Sequence, residues 1–375
     1  MPTTNRRIYY PTHAFGLAPL NSTTYTPVHG AQALGVNTNF QLDPISELGQ
    51  SSIYQLVEQV PEIECTSEKV LDGYCPMYHL STQGASDGSL IGRSNQRCML
   101  AMSVYGDTQQ SSSGVPQSQV QCSGMYWSQL GLSFGTDAPF KESLTWVGND
   151  KTALTNNFTF SPTFTNNDLP LALAGSGGVQ IRQDFIFYPQ GGNSPTQENS
   201  TTLDINGQVA AFLSILPPDV AGISSSGTND RQTQAGGVYD FNCHVTSVSV
   251  NCSAGREAVL ELGRKDPYFR FFTVPAQVTC EIAIIAGEAD SINASELGVD
   301  GHGNNLVNRS IRIRCLEGSY IDLGTNNKLT SVSFQGGGTD GGQVTTTYSY
   351  ITYNYLYFAH PQDPMVLLGT IPYPY

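Results

Sequence analysis

Charge is what this chain has least of. Only 13% of its 375 residues are Asp, Glu, Lys or Arg, about half the usual share of roughly 25%. Helical proteins lean on Glu, Lys, Ala and Leu, so the shortage argues against a helical fold. Positive charge is scarcer still, with 17 basic residues against 31 acidic ones and a net charge of −14. A surface of that sign repels phosphate, which argues against a protein that grips nucleic acid, yet it suits one that nucleic acid must slide past. No run approaches about 18 apolar residues, so no transmembrane helix is expected. The opening "MPTTNRRIYYPTHAFG" has two Arg but no apolar segment behind them, and the expectation is a protein without a signal peptide, made in a cytoplasm.

No two of the eight cysteines (Cys65, Cys75, Cys98, Cys122, Cys243, Cys252, Cys280, Cys315) stand in a CxxC pair. Zinc-knuckle and redox motifs are therefore absent. Cysteines in a reducing compartment pack as small hydrophobes. Disulfides formed later, outside a cell, are the alternative, and eight cysteines allow about 105 pairings, so none is chosen.

What the chain does have is 39% hydrophobic residues, 19 Tyr, 16 Phe and 38 Gly. Aromatic and β-branched residues separated by turn formers build sheets. Residues 1–42, poor in charge and rich in Thr, Asn, Pro and Tyr, are expected as an extended N-terminal arm. Residues 43–375 are expected as a single elaborated β domain with surface loops near 105–124, 189–202 and 219–237. The best helical candidate is 43–64, where Asp43 caps, Pro44 takes the first helical position, and Ile53, Leu56, Val57 and Val60 share a face up to Pro61. Strands are expected at 62–80, around an Asp72-Gly73 turn, and at 97–106. Two long strands around a turn at 135–138 are expected within 125–150. Further strands are expected at 157–165, 179–188, 239–255 and 277–286. "RSIRIRCLEGSYIDLG" (309–324) alternates Ile311 and Ile313 with Arg312 and Arg314. The two Arg either pair with acids of a neighbouring subunit or face solvent. Residues 328–335 and 343–359 form a hairpin across "GGGTDGG". The fold class is mainly β, a sandwich or barrel with long hairpins and a flanking short helix.

The candidate chemistry is thin. "GGGTDGG" (336–342) and "GSGG" (175–178) lack the following helix and the Lys of a phosphate loop. His302, with Asp300 or Asp290, has no second histidine at ligand spacing, and 290–308 has no EF-hand spacing for Ca²⁺. No G-x-S-x-G elbow precedes a helix. Glu257 and Glu261 would share a face of one helical turn ended by Gly263, with Arg264 and Lys265 at its negative end. That is a capped turn rather than an acid–base pair. No catalytic, metal or cofactor-binding residue is assigned, and no cofactor is expected.

Four stretches carry a resemblance. "SVSVNCSAGREAVLELGRKDPYFRFFTVPAQVTCEI" (247–282), "FKESLTWVGNDK" (140–151), "GSYIDLGTNNKLTSVSF" (318–334) and "TYSYITYNYLYF" (347–358) resemble, in their order along the chain, segments of the tail tube proteins of long-tailed bacteriophages. The resemblance implies a non-enzymatic virion protein of the tail, assembled in the host cytoplasm into stacked homohexameric rings whose lumen conducts DNA without sequence-specific binding. Implied partners are further copies of itself, tail sheath, and tail terminator or baseplate proteins, with no membrane anchor. The competing readings are another virion component, sheath or head–tail joining, or a glycan-binding or glycan-hydrolysing β protein. A sheath calls for larger α/β domains. A glycan hydrolase calls for two convergent carboxylates in a Trp- and Tyr-lined groove.

Overall fold

The computed structural model describes residues 10–106, 109, 111, 115–162, 178–182, 185–187, 244–264, 266–285, 308, 311–315, 317–336 and 344–373. Its strands, in chain order, begin with β1 (His13–Pro19), β2 (Thr26–Pro27), β3 (Ala31–Asn39), β4 (Leu42–Ser46), β5 (Ile53–Glu58) and β6 (Glu62–Val70). Then come β7 (Cys98–Val104), β8 (Ser118–Gly135), β9 (Lys141–Gly148), β10 (Asp150–Leu154) and β11 (Phe185–Phe187). The C-terminal part contributes β12 (His244–Ser253), β13 (Arg256–Val259), β14 (Phe269–Phe272), β15 (Gln277–Ile285) and β16 (Arg312–Cys315). It ends with β17 (Tyr320–Asp322), β18 (Lys328–Gln335), β19 (Thr345–Tyr353) and β20 (Tyr357–Ala359). The described residues also include short helices of a turn or so, α1 (Met77–Ser81) and α2 (Leu90–Ser94) between β6 and β7, and α3 (Pro364–Leu367) after β20.

Eight strands make the main sheet, in the order β3-β6-β9-β8-β12-β15-β19-β18, every neighbour antiparallel. A second layer runs β2-β1-β7-β8-β10. The 18-residue β8 belongs to both. Its Ser118–Met125 half pairs with β7 and its Tyr126–Gly135 half with β9 and β12. Gly124, at φ +64°, stands where one half gives way to the other.

Period-2 patterning decides which face is buried. In β15, Val278, Cys280, Ile282 and Ile284 point into the core while Gln277, Thr279 and Glu281 point away. In β19, Thr346, Tyr348, Tyr350 and Thr352 point in. Trp127 and Trp146 face each other across β8 and β9 and are the largest buried side chains. Over them lie α1 and α2, and beyond these a four-stranded sheet, β11-β16-β17-β20. Tyr78 of α1 joins the tiers, edge-on to Trp127 at 5.3 Å and stacked on Phe358 of β20 at 6.0 Å.

The mainly β expectation holds, and the short flanking helices stand elsewhere than expected. The stretch 43–64 is not a helix: β4 and β5 form an antiparallel hairpin around a turn at Gly49, φ +86°. The β-branched and aromatic run "IYQLVE" prefers an extended chain, and no packed surface lies beneath it to select a helical stripe. Residues 255–264 are likewise no helical turn. Glu257 sits in β13 opposite Phe271, and Glu261 lies in the turn that Gly263 completes at φ +85°. Arg256 draws this segment into a strand, its Nε donating to Trp127 O at 2.8 Å. The alternation of 62–80 ends at Val70, and Met77–Ser81 is helical. Residues 155–162 contain no strand, against the expectation at 157–165.

In the 1–42 stretch, β1 is buried in the second layer between β2 and β7. Strand β8 already begins at Ser118, inside the loop expected near 105–124. The loops near 189–202 and 219–237, together with Asp290, Asp300, His302 and most of both Gly-rich stretches, lie outside the described residues.

The register of β15 makes a direct test. Ile282→Ala, on the buried face, should cost about 2–5 kcal/mol, and Thr279→Ala, on the other face, less than about 0.5 kcal/mol. Chemical denaturation of the two variants checks the assignment.

Candidate functional site

The outward face of the main sheet is the first candidate. From β9 to β19 it presents Ser143, Thr145, Gln129, Ser133, Ser247, Ser249, Asn251, Ser253, Gln277, Thr279, Thr345, Thr347 and Ser349, and across that span only Lys141 and Glu281 carry charge. A cleft of about 320 Å³ opens in its middle, floored by Gly131 and walled by hydroxyl and amide side chains, with neither a carboxylate nor an aromatic ring in its lining. Hydroxyls and amides hydrogen-bond water as readily as a ligand, and without fixed charge they hold no polyanion.

Two hairpins project from one rim of this sheet. The β3–β6 pair continues into β4–β5, and the β12–β15 pair continues into β13–β14. Both leave at the rim where β9 ends, and Arg270 of β14 ties them at the base, with Nη1 3.1 Å from Glu62 Oε1 and Nε 3.2 Å from Asn149 Oδ1. Their apolar side chains stand in solvent: Leu42, Ile45, Leu48, Ile53, Tyr54 and Leu56 on one, Leu260, Leu262, Tyr268 and Phe271 on the other. Large apolar side chains clustered in water mark interaction surfaces.

Behind the sheet, α1 and α2 carry the densest group of buried charges. The N-terminus of α1 has no side-chain cap of its own. Glu142, reaching in from β9, caps it, Oε2 accepting from Met77 N–H at 2.7 Å and Oε1 from Tyr78 N–H at 2.8 Å. Arg93 of α2 is fully buried and ion-paired through Nη2 to the equally buried Asp363. Its Nη1 donates to Thr82 Oγ1 at 2.8 Å. Asp363 Oδ1 in turn caps α3, accepting from Met365 N–H at 3.0 Å. Trp146 Nε1 donates to Ser81 Oγ at 2.8 Å, and His79 Nε2 lies 3.0 Å from Phe358 O. Lys69 and Asp72 form a second buried ion pair.

Burial moves the titratable groups of this plug toward neutrality. Desolvation pushes Glu142 up to about 7, against the pull of two N–H donors and Lys69. It pushes Glu317 up to about 7 as well. His79 and His360 are held well below the ordinary histidine value, by burial first and then by Arg93 and by His79 respectively. Arg256, buried among the rings of Tyr126, Trp127 and Phe272 at 5.2, 5.4 and 5.7 Å, is lowered to about 10 by desolvation.

The cysteines Cys65, Cys98, Cys122, Cys252 and Cys280 are buried free thiols, Cys75 is a half-buried one, and Cys315 is buried in β16. Burial pushes Cys98, Cys252 and Cys280 up to about 12, which keeps them unreactive. Cys65 and Cys122 touch across the core at 3.8 Å. Arg312, weighed as a contact to a neighbouring subunit, pairs within the chain, Nε lying 3.1 Å from Asp322 Oδ2. Both Trp are core residues and line no groove. Among the described residues no group of three or more His, Cys, Asp and Glu is placed to hold a metal ion, and no helix is long and apolar enough to cross a membrane.

Sequence reasoning missed the plug because its members lie far apart in the chain. Glu142 and Met77 are 65 residues apart, and Arg93 and Asp363 are 270 apart.

No family model and no curated protein matches the chain. Among solved structures, parts of the chain are similar to the following three. A chain of the anti-feeding prophage baseplate matches at a TM-score of 0.31 and 9% identity, over 40% of this chain and 97% of that one. A chain of the tail of an empty gene transfer agent particle matches at 0.24 and 13%, over 33% and 88%. A chain of a native gene transfer agent virion matches at 0.21 and 13%, over 30% and 80%. At TM-scores below 0.5 these likenesses carry no argument about what this chain does.

Two measurements test the plug. Arg93→Met strands the Asp363 carboxylate in the core and should cost about 3–5 kcal/mol. Adding Asp363→Asn, which keeps the cap on α3, should return part of that loss in chemical denaturation. The second concerns pH. Because the folded value of Glu317 lies above its ordinary 4.5, its contribution to stability is full below about 4.5 and is lost as pH rises through about 7. Glu317→Gln removes that loss. The variant should therefore gain on the wild type by up to about 3 kcal/mol between pH 5 and pH 8. His79 and His360, shifted the other way, lose stability as pH falls below about 6.5 and set the acid limb of both profiles.

Proposed function

We propose that this chain is a structural virion protein, a tail tube subunit that joins copies of itself side by side into hexameric rings around a DNA-conducting channel. The observation that carries the reading is the pair of open edges on the main sheet. Strands β3 and β18 each have one partner in the described structure, and they stand at opposite ends of the same sheet. An unpaired edge invites another strand, and soluble proteins usually guard it with charge or proline. The edge strand "AQALGVNTN" of β3 has neither, and "KLTSVSFQ" of β18 has only Lys328.

The strand count makes the two edges compatible. Eight antiparallel strands are an even number, so β3 and β18 run in opposite directions. The β18 of one copy laid beside the β3 of the next is therefore antiparallel without turning either copy over. Repeating the same step around an axis closes a ring and removes every edge. The Ser-, Thr-, Asn- and Gln-rich face, whose few charges include Lys141, Glu281 and the three glutamates of β6, Glu62, Glu64 and Glu68, supports its use as a channel lining, because DNA passing it meets little positive charge on which to release counterions. The acidic balance of the chain works in the same direction. In this reading the partners are further copies and other tail components, sheath, terminator or baseplate proteins. The protein performs no catalysis, and it resides in the tail of the virion. Residues 1–42 and 43–375 then belong to one subunit.

Negative-stain electron microscopy at rising concentration tests the reading. Rings or hollow tubes are the expected outcome, and particles that stay monomeric at every concentration overturn it. Ala33→Lys with Asn37→Lys, which puts charge on the β3 edge, should abolish rings while leaving the thermal unfolding of the monomer near that of the wild type.

A further inference from the structure

Two of the buried thiols meet. Cys65 of β6 and Cys122 of β8 stand 3.8 Å apart, Sγ to Sγ, and neither has exposed surface. Cys65 lies on the inward face of the main sheet, where β6 pairs with β3 and β9. Cys122 lies on the inward side of the second layer, where β8 pairs with β7 and β10. Among the described residues no backbone ladder joins β6 to β8, so the layers meet at this point through side chains alone. Bonded sulfurs stand about 2.05 Å apart. Closing the gap therefore takes a shift of about 1 Å by each side chain, which is within the reach of a small χ1 adjustment.

The two thiols are chemically unequal. Cys65 donates to Cys122. That hydrogen bond holds the Cys122 thiol below the ordinary thiol value, and the cation of Lys151, directly opposite Cys122 on β10, acts in the same direction. The same hydrogen bond, followed by burial, pushes Cys65 up. Lys151 is exposed and donates to Thr38 Oγ1 of β3, so its charge is held at the margin where the two layers come together. The thiolate is the form of cysteine that attacks an oxidant, so Cys122 is the attacking sulfur and Cys65 the resolving one. Cys98, which also lies near the pair, is pushed up to about 12 by burial.

We infer that Cys65 and Cys122 form a latent disulfide site, closed by a peroxide when the protein leaves a reducing compartment. A peroxide suits the site because both sulfurs are covered, and it is hardly larger than water. Cys122 sulfur attacks one peroxide oxygen, the O–O bond breaks, and the departing hydroxide takes the Cys122 proton to become water. Cys65 sulfur then attacks the sulfenic sulfur of Cys122, the S–O bond breaks, and the second hydroxide leaves as water with the Cys65 proton. Two thiols and one peroxide thus give one disulfide and two waters. The bond would tie the main sheet to the second layer and close a 57-residue separation that contains α1, α2 and β7. The inference does not rest on the ring reading.

The test treats the folded full chain with hydrogen peroxide, alkylates the remaining thiols, and maps peptides by mass spectrometry without reduction. A peptide pair joined through Cys65 and Cys122 is expected, with Cys98, Cys252 and Cys280 alkylated. Oxidation should raise the unfolding temperature by about 5 °C or more, and a reductant should reverse the rise. Cys65→Ser should lose the rise and leave a sulfenic acid on Cys122 that a cyclic 1,3-dione labels. Cys98→Ser, which keeps the pair, should behave like the wild type. Alkylation of both Cys65 and Cys122 after treatment of the wild type would overturn the inference, as would linkage of either to another cysteine or oxidation of Cys122 beyond the sulfenic acid without a link.

Discussion

Everything on the inner side of the main sheet depends on the burial of the Arg93–Asp363 pair. Two opposite charges removed from water are costly, and further hydrogen bonds offset part of that cost. Here Arg93 also reaches Thr82 through Nη1 and Asp363 also caps α3, while Arg93 Nε is buried without a partner. The pair therefore pins three separate pieces of chain, the end of α1, α2 and the C-terminal α3, to one point. The same logic governs Glu142. A five-residue helix has little stability of its own, and α1 exists because a carboxylate from β9 takes up its first two N–H groups. With α1 in place, Tyr78 can stand between Trp127 and Phe358, and the small four-stranded sheet gains a surface to pack on.

This arrangement divides the molecule into a rigid side and an adhesive side. Charges that need fixed partners are gathered behind the sheet. The front is left mostly with hydroxyls and amides that hydrogen-bond water or one another at little cost, and with a few solvated charges such as the Lys141–Glu68 pair. Apolar side chains that the core does not use are placed on two hairpins and at one rim. A monomer destined to stay single would be expected to hide or charge such groups. Their exposure, with a β3 edge that has neither charge nor proline and a β18 edge that has only Lys328, is what the proposed assembly would cover.

How far the sequence discloses this varies by element. Alternation alone discloses β15, β19 and the Ile311–Ile313 face of β16, because one side of each meets a continuous core and the other meets water. The β8–β9 hairpin was readable for the same reason. The β4–β5 hairpin was not. Its Asp43-Pro44 start imitates a helix N-terminus, and its apolar residues, having no core to face, show no period-2 partition. Residues 256–259 misled through a local spacing of glutamates, when the deciding partner was Trp127, 129 residues away. The plug was illegible for the same kind of reason: Glu142 sits in an ordinary "KES", and its role follows from a helix 65 residues earlier. The open edges also leave no sequence mark, since an edge strand differs from an inner one only by what fails to lie beside it.

The passage of β8 through both layers has a mechanical consequence. A single covalent strand common to two sheets couples the layers, so a pull on β12 passes through its ladder to β8, along the β8 backbone, and through the next ladder to β7. Load applied along the strands is then borne by many hydrogen bonds in shear at once, instead of being peeled from them one at a time. Gly124, at φ +64°, and the register shift between Trp127 and Gln129 mark the stretch of β8 where its pairing passes from one layer to the other.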